Sequence, residues 1–228
     1  MENNETLKMT QDYIISFLKA PITTLKNSEL DLSGAIILLG LLPFALFLAT
    51  WSLMNRLITT LITTVSGAMG GLGSLLLPDA GNLHADAMST ISWGGMFFNV
   101  LLLAVTWFAL MLFVPILITK ILKITTTICL KTLFIQTTVL TIPMTTMFLV
   151  ATILGFMHLA LWFLPVVVAI IAPILLHFTI IRKTWQLDAN KTLYIVVITQ
   201  IVIVIVVGLL FAGLAAGMGN SLMDGLFF

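Results

Sequence analysis

Five stretches of about twenty mostly apolar residues, parted by short polar connections, constrain this chain more than any other feature of it. A helix rises about 1.5 Å per residue and the hydrocarbon core of a bilayer is about 30 Å thick, so each stretch is long enough to cross a membrane. The stretches run from about Ser33 to Leu53, Met96 to Thr119, Leu133 to Gly155, His158 to Ile181 and Leu193 to Met218. In lipid every backbone N–H and C=O must find a partner within the protein, which leaves helices or a closed barrel. The runs are too continuously apolar for the alternating strands of a barrel. An all-α integral membrane protein is expected, with a single five-helix domain over residues 33–218, a preceding segment 1–32 and a short tail 219–228.

Composition closes off the alternatives. Charged residues make up 8% of the chain, against about a quarter in soluble domains. Folded in water, such a chain would expose apolar patches far larger than soluble monomers tolerate. The net charge of +1 offers no clustered basic surface for a nucleic acid. A lone cysteine, Cys129, excludes an intrachain disulfide and any cysteine-rich metal site. No cleavable leader is expected, because Glu2 and Glu5 stand where a basic cluster would be needed.

Lys and Arg accumulate on the cytoplasmic side of membrane proteins. With five spans and the N-terminus in the cytoplasm, Lys8, Lys19, Lys26, Lys120, Lys123, Lys131, Arg182, Lys183 and Lys191 all fall inside, and only Arg56 falls outside. The expected setting is a bacterial cytoplasmic membrane with the C-terminus external. These basic side chains would attract anionic lipid or dock a cytoplasmic partner.

Two further segments touch the membrane. From Asp12 to Leu25, apolar residues recur at helical spacing (Ile14, Phe17, Leu18, Ile22, Leu25), which predicts an amphipathic helix on the headgroups, kinked or restarted by Pro21. From Leu57 to Leu77, an apolar face alternates with threonines and meets a glycine-rich stretch at residues 66–73. Either an interfacial or re-entrant element or an extension of the first span would produce that pattern.

Candidate chemistry is sparse. An ionisable residue deep in a span would be a functional candidate, and none occupies the centre of the five stretches; His158 and His177 lie towards the ends of the fourth. That counts against ion-coupled transport and against an intramembrane protease, and no cofactor is implied. Gln136, Thr138, Thr141 and Thr145 form a polar stripe on the third span. It would line a substrate path, or else bond to neighbouring helices and to carbonyls freed by Pro143. Gly208, Ala212, Gly213, Ala216 and Gly217 give the fifth span a small-residue face where a second helix can approach closely, within the chain or between chains. His84, Asp86 and His158 are the candidates for a divalent ion outside the membrane, at a spacing that matches no ligand motif.

Two fragments resemble the Yip1 domain family of five-span membrane proteins. Phe17-Leu18-Lys19-Ala20-Pro21 is similar to the Phe-Leu-x-x-Pro segment of bacterial members. Asp31-Leu32-Ser33-Gly34-Ala35 resembles their Asp-Leu-Tyr-Gly-Pro motif, departing at Ser33 and Ala35. The resemblance implies a non-enzymatic factor that binds membrane partners, with no catalytic residues. The residues themselves also fit a scaffold or accessory subunit in a complex or homo-oligomer. The alternatives are a transport subunit of the ABC-exporter type, working with a separate ATPase since the chain has no phosphate-binding loop, or an oligomeric channel.

Overall fold

In the computed structural model of the full chain, residues 2–21, 24, 30–68, 84–85, 88–89, 91–124 and 129–227 are described, with side chains undescribed at 2–4, 68 and 214–227. Every regular element among the described residues is helical: α1 (Glu2–Lys19), α2 (Leu32–Ala68), α3 (Trp93–Ile121), α4 (Leu130–Val139), α5 (Thr141–Met157), α6 (Leu159–Thr184) and α7 (Ala189–Phe227). Taking α4 and α5 together, five helices are long and apolar enough to cross a membrane. Large apolar side chains such as Leu164, Leu175, Val204 and Leu209 point outward. In lipid that exterior costs nothing, because the hydrocarbon is as apolar as the side chains. The fold is an all-α membrane type.

Helix ends differ from the hydropathy limits in four places. The N-terminal helix begins at Glu2 rather than Asp12 and breaks after Lys19; Pro21 and Thr24 are helical again, with the Thr24 N–H on the Ala20 carbonyl at 3.0 Å, and residues 22, 23 and 25 lie outside the described ones. Its face Thr10, Tyr13 and Phe17 is buried against Ala35 and Leu38 of α2, so α1 is docked on the bundle as well as presenting apolar Leu7, Ile15 and Leu18 outward. The first span does not end near Leu53. α2 continues unbroken through Ala68, making residues 57–68 an extension of that helix; residues 69–77 lie outside the described ones. The third span is two helices. Pro143 has no N–H for the carbonyl of Val139, α4 ends there, and Leu140 N–H turns back to the Thr137 carbonyl at 3.0 Å. Finally, α7 runs through residues 219–227, which hydropathy alone assigned to a tail.

α5 is the centre of the bundle, packed against both α2 and α6. Parallel α2 and α5 are locked at two levels. Thr141 Oγ1 reaches the Leu38 carbonyl at 3.5 Å, and Gly155, fourteen residues further on, lies against Ser52, fourteen residues beyond Leu38. A Cβ on Gly155 would come within 2.7 Å of Ser52 Oγ and 2.8 Å of Trp162 Cδ1, so only glycine lets these three helices meet. Trp162 Nε1–H donates to the Ala49 carbonyl at 3.1 Å. Edge-to-face aromatic pairs, Phe47 with Phe97, Trp51 with Phe156 and Phe108 with Phe134, fix α3, α4 and α5 against their neighbours.

Candidate functional site

Three regions bear on function: the start of α2, one basic end of the bundle, and the exposed face of α7.

At the start of α2, Asp31 accepts the Gly34 N–H through its carboxylate at 2.7 Å, a helix N-cap. A Cβ on Gly34 would lie 2.9 Å from Thr10 Oγ1 and 2.8 Å from Leu30 Cδ1, so glycine is what lets α1 approach. Ala35 is wholly buried one residue later. The Asp31–Ala35 fragment and the Phe17 fragment are therefore two sides of one joint, the docking of α1 on the first span. Burial pushes the Tyr13 hydroxyl in this joint up to about 12.

The described basic candidates gather at one end. Lys120 and Lys123 close α3, Lys131 opens α4, Arg182 and Lys183 end α6, Lys191 opens α7, and Lys19 ends α1; all are exposed. Lys26 lies outside the described residues. Asp188 caps α7, accepting the Lys191 N–H at 2.9 Å, and pairs with Lys191 Nζ at 3.6 Å. The Lys191 N–H, then the Lys191 charge, holds the Asp188 carboxyl below its ordinary range. Lys120 also borders an apolar groove of about 310 Å³ on α3, lined by Phe113, Val114, Ile116 and Leu117. Apolar walls with a cation at the rim suit an acyl chain below a phosphate headgroup.

On α7, Gly208, Ala212 and Gly213 are exposed, and a Cβ on Gly208 or Gly213 would meet nothing within 4 Å. Among the described residues, nothing packs against the small residues there. The side chains of Ala216 and Gly217 fall outside the described residues. The glycine contacts that do hold the bundle, at Gly34 and Gly155, carry no repeat spacing; only their position beside buried small residues distinguishes them.

Of the polar stripe on the third span, Thr138 and Thr141 face protein, while Gln136 and Thr145 are half-buried. Thr138 and Thr141 are wholly buried, and their hydroxyls donate to the carbonyls of Phe134 at 2.9 Å and Thr138 at 2.7 Å. Gln136 accepts from the Thr184 hydroxyl of α6. The Thr145 hydroxyl is buried with no partner among the described residues. Of the divalent-ion candidates, His84 Nε2 pairs with Asn55 Oδ1 at 3.0 Å, and His158 Nδ1 accepts the Ala160 N–H at 3.1 Å as the cap of α6. Asp86 lies outside the described residues. No grouping of three His, Cys, Asp or Glu side chains that could hold a metal occurs among the described residues. Cys129 is exposed beside the start of α4, where hydrogen bonds from Thr132 lower its thiol pKa.

No protein-family model, curated protein or solved structure matches this chain.

Proposed function

We propose that this chain is a non-enzymatic scaffold or accessory subunit of a membrane assembly, binding another membrane protein, or a second copy of itself, through the exposed face of α7. The observation that supports this reading is that Gly208 and Ala212, one turn apart, and Gly213 on the adjoining stripe are exposed, with no described residue within 4 Å of a Cβ on either glycine. The likeness of residues 17–21 and 31–35 to the Yip1 domain family points the same way. On this reading the membrane is a bacterial cytoplasmic membrane. The basic end of the bundle and α1 face the cytoplasm, anionic lipid occupies the headgroup zone around Lys120, and the end of α7 lies outside.

The test is copurification of the full chain from mild detergent, with the mass of the particle measured. A stoichiometric membrane-protein partner or a defined homo-oligomer, lost when Gly208 and Gly213 are both changed to isoleucine, is the expected result. A lone monomer overturns the reading, and a stoichiometric ATPase replaces it with the transport-subunit alternative.

A further inference from the structure

Gln200 lies at the middle of the fifth span, Ala189–Gly213, where a bilayer offers no water to a polar group. Its carboxamide has two N–H donors and an oxygen that accepts. One N–H reaches Met111 Sδ of α3 at 3.6 Å, a weak acceptor, and no described residue bonds to the second N–H or to the oxygen. The side chain is half-buried, and Oε1 is not enclosed by the bundle. In a single chain the free part of this carboxamide therefore meets hydrocarbon, an unfavourable setting for it.

The place of Gln200 on the helix ties it to the open surface of α7. Gln200, Val204, Gly208 and Ala212 recur at every fourth residue and so form one row along the helix. Val204 is 70% exposed, and Gly208 and Ala212 are exposed as well. Gly208 stands about 12 Å further along the axis than Gln200. Right-handed crossings of membrane helices, at about −40°, follow rows of this spacing. Small residues at the crossing bring the two backbones close, and polar side chains along the row bond across it.

We propose that two copies of this chain pair along this row, each Gln200 Nε2–H donating to the Oε1 of the partner's Gln200. Every copy inserts the same way round, so a second copy brings its Gln200 to the same depth. A carboxamide is self-complementary, and a two-fold pair leaves neither oxygen unsatisfied. The Met111 contact is kept, because it uses only one of the two amide hydrogens. A different membrane protein would need a polar group of its own at that level. The inference rests on the α7 reading above and narrows it to a homodimer.

The experiment uses the full chain in liposomes, with donor or acceptor fluorophores on Cys129, the single cysteine, which is exposed. Energy transfer across a series of dilutions in lipid gives the dimerisation constant. The natural chain should associate, and the near-isosteric Gln200→Met should weaken association roughly tenfold, the combined effect of two interhelical hydrogen bonds of average strength. Gln200→Asn, which keeps a carboxamide, should retain more association than Gln200→Met. If Gln200→Met does not fold, Gln200→Leu takes its place. Association unchanged in the apolar variant overturns the Gln200 pair; the α7 reading still stands if changing Gly208 and Gly213 to isoleucine abolishes that association. No transfer in the natural chain also overturns the pair. A stoichiometric membrane-protein companion on copurification would then preserve the α7 reading, and a lone monomer would remove both.

Discussion

The Trp162 indole N–H donates to the Ala49 carbonyl at 3.1 Å, joining residues 113 positions apart, and the same indole lies 2.8 Å from where a Cβ on Gly155 would stand. Three spanning helices thus meet at one point, by a hydrogen bond and by the absence of a side chain. Trp162→Phe removes the bond while keeping most of the ring, and should cost about 0.6 kcal/mol, the average for interhelical hydrogen bonds in membranes. Gly155→Leu has no room and should cost several-fold more, as an overpacked core does. Thermal denaturation of the purified variants in one detergent measures both; equal losses would mean that the close approach at Gly155 is not a constraint.

Gly34 sets a second close approach, between α1 and α2. Gly34→Val should push Thr10 away and release α1, leaving the five spans intact. The expected readout is much faster protease cleavage between α1 and Leu30, with the remaining fragment still helical and membrane-bound. Undiminished protection of α1 in Gly34→Val would show that its docking does not depend on this contact.

The joint also has a pH signature. Burial raises Tyr13 from its ordinary value of 10.0 to about 12, so the docked state holds the proton where the released state gives it up. Docking is at full strength below pH 10 and weakens as pH rises from about 10 to about 12, because there the released state binds fewer protons. Tyr13→Phe cannot ionise and should stay docked across that window. Tyr13 OH has no hydrogen-bond partner among the described residues, so this change should leave docking at neutral pH equal or slightly stronger. Limited proteolysis against pH, natural chain beside Tyr13→Phe, distinguishes the two curves; identical curves contradict the assignment.

At the same end of the bundle, Asp188 caps α7 through the Lys191 N–H. Its lowered pKa means that the cap contributes above the ordinary carboxylate range and is lost as pH falls through the lowered value. Asp188→Ala should lower Tm by about 2–4 °C at neutral pH. Asp188→Asn, which can still cap, should recover most of that loss. Equal Tm for the natural chain and Asp188→Ala would remove the cap from the account.

How far these features could be read beforehand depends on what apolarity reports. Hydropathy sees how many residues avoid water, so the five spans were legible from composition along the chain. It does not see which side of a helix meets protein. His177 therefore read as a residue near a helix end, whereas α6 runs on to Thr184 and buries it. Small polar residues mislead in the opposite direction. Asn220, Ser221 and Asp224 look like a tail, yet helical hydrogen bonding continues through them. The break at Leu140 was half visible, because Pro143 marks where a carbonyl must go unpaired but not how the chain responds. The glycines show the same limit: the spaced face of α7 was easy to see, whereas the tight contacts at Gly34 and Gly155 depend on neighbours distant in sequence.

The central proposal is that α7 offers a partner helix a surface that no described residue of its own chain covers. Its most direct measurement is cross-linking in native membranes between cysteines placed at Gly213, on a chain carrying Cys129→Ser, with a cysteine at buried Ile195 as the control. A specific, saturating product from position 213, either a dimer or an adduct with one other membrane protein, and none from position 195, is the predicted result. No product from position 213, in membranes where the protein is folded and abundant, would contradict it.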